Sequence, residues 1–167
     1  MGAVFAVSIF AEGRLAISAA ALPDNTLKVW DLESGREVRT LVGHVGRVNA
    51  VSVFADGRRA ISASDDGTVK AWGIESGQEV LTLGGHTGDV SAVSVFADGR
   101  RAISASHDKT LKVWSLDTGE VVATFTGDGP MAACAVAPDG VTIVAGDRLG
   151  RMYFLRLEGD ESEGRRQ

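Results

Sequence analysis

One sixteen-residue phrase is written twice in this chain, as NAVSVFADGRRAISAS from Asn49 to Ser64 and as SAVSVFADGRRAISAS from Ser91 to Ser106. Its centre, Phe-Ala-acid-Gly, also stands at Phe10, and a degraded form appears as Ala137-Pro-Asp-Gly140, so the repeat period is about 42 residues. Such a period signals an array of like units, each too small to bury both of its faces and therefore stacked on its neighbours. It also weighs against an enzyme, because catalysis brings unlike groups to one point.

Within one period the run Val48–Phe54 is β-rich, Asp56-Gly57 is a tight-turn signal and Ala60–Ser64 is a second short strand. Asp66-Gly67 then turns into Thr68–Trp72, and Glu75-Ser76-Gly77 turns into Glu79–Leu83. No window shows helical apolar spacing, and turn residues punctuate the chain at the short intervals of all-β proteins. The expectation is an all-β chain of four-stranded antiparallel blades, about four per chain, stacked as a β-propeller. Blades are expected at 1–43, 44–85, 86–127 and 128–157, with a charged, flexible tail at 158–167. Outer strands are expected near Val38–Leu41, Val80–Leu83 and Val121–Phe125. The last repeat offers only Met131–Val136, Thr142–Gly146 and Arg151–Leu157, so its outer strand is missing.

Composition narrows the function class. With 44% hydrophobic and 23% charged residues the chain reads as soluble and globular. A formal net charge of −5 disfavours nucleic acid and anionic membrane as partners. The single cysteine, Cys134, allows no internal disulfide and fits a cytoplasmic location. No apolar run approaches the ~20 residues of a membrane span. The apolar N-terminus lacks a basic leader, and its Ala6–Phe10 matches Ala50–Phe54, which makes it a strand of the fold.

The order Gly43-His44, Asp66, Trp72, its copy Gly85-His86, Asp108, Trp114, and the literal Trp30-Asp31 resemble the WD40 family across residues 3–157. The resemblance implies a structural hydrogen-bonded chain in each of the two central repeats. His44, Ser64, Asp66 and Trp72 would form one and His86, Ser106, Asp108 and Trp114 the other, with Asp accepting from His, His meeting Ser, and Ser meeting the indole. A nucleophile would not be installed twice at identical spacing with a tryptophan attached, and there is no Gly-x-Ser-x-Gly elbow. Zinc-ligand spacing and phosphate-binding loops are absent as well, so no enzyme activity, cofactor or metal is expected. The end repeats depart from the pattern. In the first, Asp24 and Trp30 remain, Ala20 stands where Ser is expected and Ala21-Leu22 is an insertion; in the fourth, Asp128, Gly146, Arg148 and Phe154 stand for His, Ser, Asp and Trp.

Because rings of this family hold about seven blades, four leave two apolar end faces in water. Either a second copy completes the ring, giving eight blades, or the chain is the C-terminal part of a longer protein resembling the bacterial WD40 arrays of signalling ATPases and kinases. The function implied is a non-enzymatic scaffold for itself and for a protein or peptide. An enzyme working in the channel is disfavoured, since the innermost strands read Ala-Val-Ser-Val. The partner-binding face is expected at Arg47, Asn49, Asp65, Asp89, Ser91 and His107, where the near-identical repeats differ. The pairs Arg58-Arg59 and Arg100-Arg101 are expected to be solvated turn charge.

Overall fold

The computed structural model describes residues 3–20 and 23–158. The insertion Ala21-Leu22 and all of the expected tail but Glu158 lie outside the described residues. The described chain is built of strands, and no helix is long and apolar enough to cross a membrane. The first blade comprises β1 (Val4–Phe10), β2 (Leu15–Ala20), β3 (Leu27–Asp31) and β4 (Glu37–Leu41). The second comprises β5 (Val48–Val53), β6 (Arg59–Ser64), β7 (Thr68–Gly73) and β8 (Glu79–Gly84). The third comprises β9 (Val90–Val95), β10 (Arg101–Ser106), β11 (Thr110–Ser115) and β12 (Val121–Thr126). Among the described residues the last has three strands, β13 (Met131–Val136), β14 (Thr142–Asp147) and β15 (Met152–Arg156). Each sheet is a meander in chain order with antiparallel neighbours.

The hairpin phrase sets the first turn of each blade. Asp56 Oδ1 accepts from the backbone N–H groups of Arg58 and Arg59 at 2.8 and 3.2 Å, and Asp98 and Asp139 repeat the arrangement. The second arginine of each pair does more than carry solvated charge. Arg59 bonds Asp56, stacks over the Phe54 ring at 4.3 Å and reaches the Gly99 carbonyl of the next blade at 3.4 Å. Arg101 does the same with Asp98, Phe96 and Gly140. A sequence read one repeat at a time does not reveal this staple, because its far end lies in the following repeat. Arg58 and Arg100 are exposed.

Apolar packing lies between blades. The first core joins Ile17, Leu27, Val29 and Leu41 of the first blade to Val48, Ala60, Trp72 and Ile74 of the second. The second core joins Ile61, Val69 and Leu83 to Val90, Ala102 and Trp114, one repeat further on. In the third, Ile103, Leu111 and Val113 meet Met131, Ile143 and Ala145. The second strand of each central blade is therefore buried on both faces, and β1, β5, β9 and β13 lie side by side along the inner edge. Cys134 packs against the third core with its sulfur 3.8 Å from the Ile103 carbonyl, and burial pushes its thiol up to about 12, which makes it inert.

Among the described residues two faces lack a neighbour. Val7 and Ile9 are exposed on β1, whereas Val51 and Val53 at the same positions of β5 pack against the first core. Phe154 is 75% exposed, whereas Ala71 at its register position is 7% exposed. Inter-blade burial sets the stability, so Ile61→Ala, in the second core, is expected to cost about 2–5 kcal/mol, and Val45→Ala, on the surface, to stay within about 0.5 kcal/mol. Urea unfolding of the two variants checks both values.

Candidate functional site

A chain of hydrogen bonds runs from the middle of each central blade to the loop that precedes it. The Trp72 indole N–H donates to Ser62 Oγ at 2.8 Å, and His44 Nε2 lies 2.8 Å from the same oxygen. His44 Nδ1 lies 2.8 Å from Asp66 Oδ2. The carboxylate can only accept, so Nδ1–H donates to Asp66, and in the neutral histidine that burial favours Ser62 donates to Nε2. Burial lowers the His44 pKa, opposed by its bond to Asp66. Burial alone would raise the Asp66 carboxyl, but donors from Thr68 and His44 outweigh it and hold it at about 2. In the third blade Trp114, Ser104, His86 and Asp108 repeat the geometry, with Asp108 also held low.

Two glycines make room for this chain. A Cβ on Gly43 would sit 2.9 Å from the Trp72 ring, and a Cβ on Gly46 would sit 2.7 Å from the Asp66 backbone nitrogen. The Gly-His pair is thus read out by the indole lying over the loop. His44 and Trp72 meet edge to face at 5.9 Å.

The serines of the chain are Ser62 and Ser104, not Ser64 and Ser106. Two residues along a strand span about 6.6 Å, so only one of the two serines on that face can lie beneath the imidazole. Ser64 and Ser106 cap the turn, accepting from the Asp66 and Asp108 backbone N–H groups at 3.2 and 3.1 Å. The correction extends to both end blades. In the first, Ser18, not Ala20, is the serine position, and it accepts from the Trp30 indole at 2.8 Å. In the fourth, the pairing of Ile143 with Leu155 matches that of Ala60 with Trp72. Leu155 therefore takes the Trp position rather than Phe154, Ala145 the Ser position rather than Gly146, Leu149 the Asp position rather than Arg148, and Gly127 the His position rather than Asp128. There Tyr153 donates to Asp147 Oδ2 at 2.9 Å as a local replacement, and an apolar cavity of about 210 Å³ beside Leu155 marks the lost indole.

At one end of the inner strands β1, β5, β9 and β13 lies a cleft of about 290 Å³. Five of the six expected partner-face residues line it, Arg47, Asn49, Asp65, Ser91 and His107, joined by Phe5, Ala132 and Arg148. Asp89, the sixth, stands beside His107 at 3.6 Å. Asp65 receives Asn49 Nδ2 at 2.6 Å and lies 3.0 Å from Arg47 Nε, whose guanidinium stacks over Phe5 at 4.8 Å. Phe5 and Arg148 escape detection in the sequence because they belong to the two repeats least like the others. Among the described residues no group of three or more His, Cys, Asp or Glu side chains is placed to hold a metal ion.

The two serine pairs separate by experiment. Ser62→Ala strands the indole N–H and a histidine nitrogen in a buried site and is expected to cost about 2–4 kcal/mol, against about 1 kcal/mol for Ser64→Ala, both read by denaturant unfolding. The polarity also sets a pH dependence. Both histidines titrate below 6.5 when folded, so the unfolded chain takes the proton first and stability falls as pH drops below that value. Asp66, at about 2 against 3.8, adds a further loss between those values. The melting temperature is therefore expected to hold above pH 7 and to fall in these two acid steps, as measured by calorimetry across pH.

Residues 35–73 match the family described as WD domain, G-beta repeat. Residues 86–157 match that described as TEP-1 C-terminal beta-propeller. No curated protein matches the chain. Both matches fall on the strand meanders and loops that carry the Trp–Ser–His–Asp geometry, and the chain belongs to the WD40-repeat β-propeller family.

Proposed function

We propose that this protein is a non-enzymatic interaction scaffold, an arc of four propeller blades that closes into an eight-bladed ring with a second copy and presents the cleft at the end of its inner strands to a protein or peptide. WD40-type propellers are in general protein-interaction scaffolds. The observation carrying the self-closing part is that the two open end faces are the two halves of an interface the chain makes three times internally. The first blade offers Val7, Ile9 and Leu32 where the second blade uses Val51, Val53 and Ile74. The fourth offers Met152 and Phe154 where the second uses Val69 and Ala71. Head meeting tail twice under two-fold symmetry closes such a ring.

Cys134, a half-buried thiol with no second cysteine in the sequence to pair with, supports the reading of a location in the reducing cytoplasm. The cleft residues support the partner-binding part, since they form a recessed, mixed-charge surface ringed by rigid strands.

Light scattering behind size exclusion tests the closure. The wild-type chain is expected at twice its 17.4 kDa mass over a wide concentration range, and Phe154→Glu at the single-chain mass with unchanged strand content. A folded wild-type monomer would refute self-closure and direct the search to the missing blades of a longer protein.

A further inference from the structure

The geometry points to a carboxylate-binding site in this cleft, centred on Arg148 and taking an Asp or Glu side chain of a peptide segment. Three equivalent positions in the last three blades carry the inference. In each blade the turn residue after the second strand donates its backbone N–H to the carbonyl of the residue just before the first strand. Asp65 bonds Arg47 at 2.9 Å, His107 bonds Asp89 at 2.8 Å and Arg148 bonds Pro130 at 2.9 Å. The third position, the second residue of the first strand, holds Asn49, Ser91 and Ala132.

The side chains at these positions go from paired to unpaired along the arc. In the second blade Arg47 has Asp65, and Asn49 donates to it as well. In the third, His107 has Asp89 at a longer 3.6 Å, and Ser91 makes no side-chain hydrogen bond among the described residues. In the fourth, Pro130 and Ala132 bring no polar side chain, and Arg148 has no ion partner among the described residues. The second and third blades supply the carboxylate for their own basic group, and the fourth does not. An anion entering the cleft meets Arg148 with the Ser91 hydroxyl lining the same space.

The guanidinium fork suits the two oxygens of a carboxylate. A doubly charged phosphate is disfavoured because Asp65 lines the cleft and Asp89 stands at its rim. A peptide source fits the half-exposed Phe5 ring, which gives the entering segment an apolar lip. This assignment rests on the reading of the cleft as a partner-binding face, and it sets the chemistry of that partner.

The test titrates the isotope-labelled whole chain with N-acetylglutamate amide, its glutamine analogue and inorganic phosphate, following amide shifts. Saturable shifts at Arg148 and Ser91 are expected with the glutamate compound alone, weakened about tenfold or more in the exposed-site variant Arg148→Ala. An equal response to the glutamine analogue, tighter binding of phosphate, or indifference to Arg148→Ala would overturn the assignment. Panning an unbiased short-peptide library separates it from the reading beneath it. Enrichment of Asp or Glu that Arg148→Ala abolishes supports both. Peptides without acids whose capture is lost in Ser91→Trp overturn the carboxylate assignment and leave the partner face standing. A library yielding nothing sensitive to Ser91→Trp overturns both.

Discussion

A blade in this chain is stable only because the next blade covers it. The second strand of each central blade is buried on both faces, and the three cores sit between sheets rather than within them. At roughly 25 cal/mol for each Å² of apolar surface removed from water, a single exposed face of this kind outweighs any one polar contact in the molecule. The same physics that builds the arc therefore acts at its two ends, where Ile9 is 65% exposed and Phe154 is 75% exposed.

Apolar faces alone leave register and rotation loosely specified, and the polar chains supply that specificity. Each one ties a tryptophan on the third strand, a serine on the second, and a histidine and an aspartate in two loops into a single polarised sequence of donors and acceptors. Every member is satisfied, which is the condition under which a buried polar network orders a structure instead of weakening it. Where the chain fails, in the fourth blade, a smaller leucine and a cavity take its place, and Tyr153 with Asp147 restores only the loop end. The arginine staples from Arg59 and Arg101 add a second inter-blade tie at the opposite end of the strands.

Much of this was legible in the sequence, because the repeat period, the Asp-Gly turns and the four-strand rhythm are local signals. The strand count of every blade among the described residues, three in the last, follows from them. The choice between Ser62 and Ser64 does not, since both lie on the same strand face and only the lean of the indole decides. In the fourth blade a one-residue ambiguity moved Phe154 into the tryptophan slot, and cross-strand pairing moves it to the open face. That shift has functional weight, for it turns a supposed core aromatic into the most exposed large side chain on the end face. The cleft was legible in part. Divergence between two near-identical repeats located five of its residues, but Arg148 and Phe5 sit in repeats too degraded for that comparison.

A scaffold that closes by repeating its internal interface differs from one that dimerises through a self-complementary patch, and the difference is open to one decisive measurement. Ile9→Asp damages only the leading face and Phe154→Asp only the trailing one, so native mass spectrometry of the two variants alone and mixed reads out the type of contact. Head-to-tail closure requires each variant alone to be monomeric and the mixture to form a mixed dimer through its one intact interface. A mixture that stays monomeric, or either variant that remains a dimer by itself, would contradict the account.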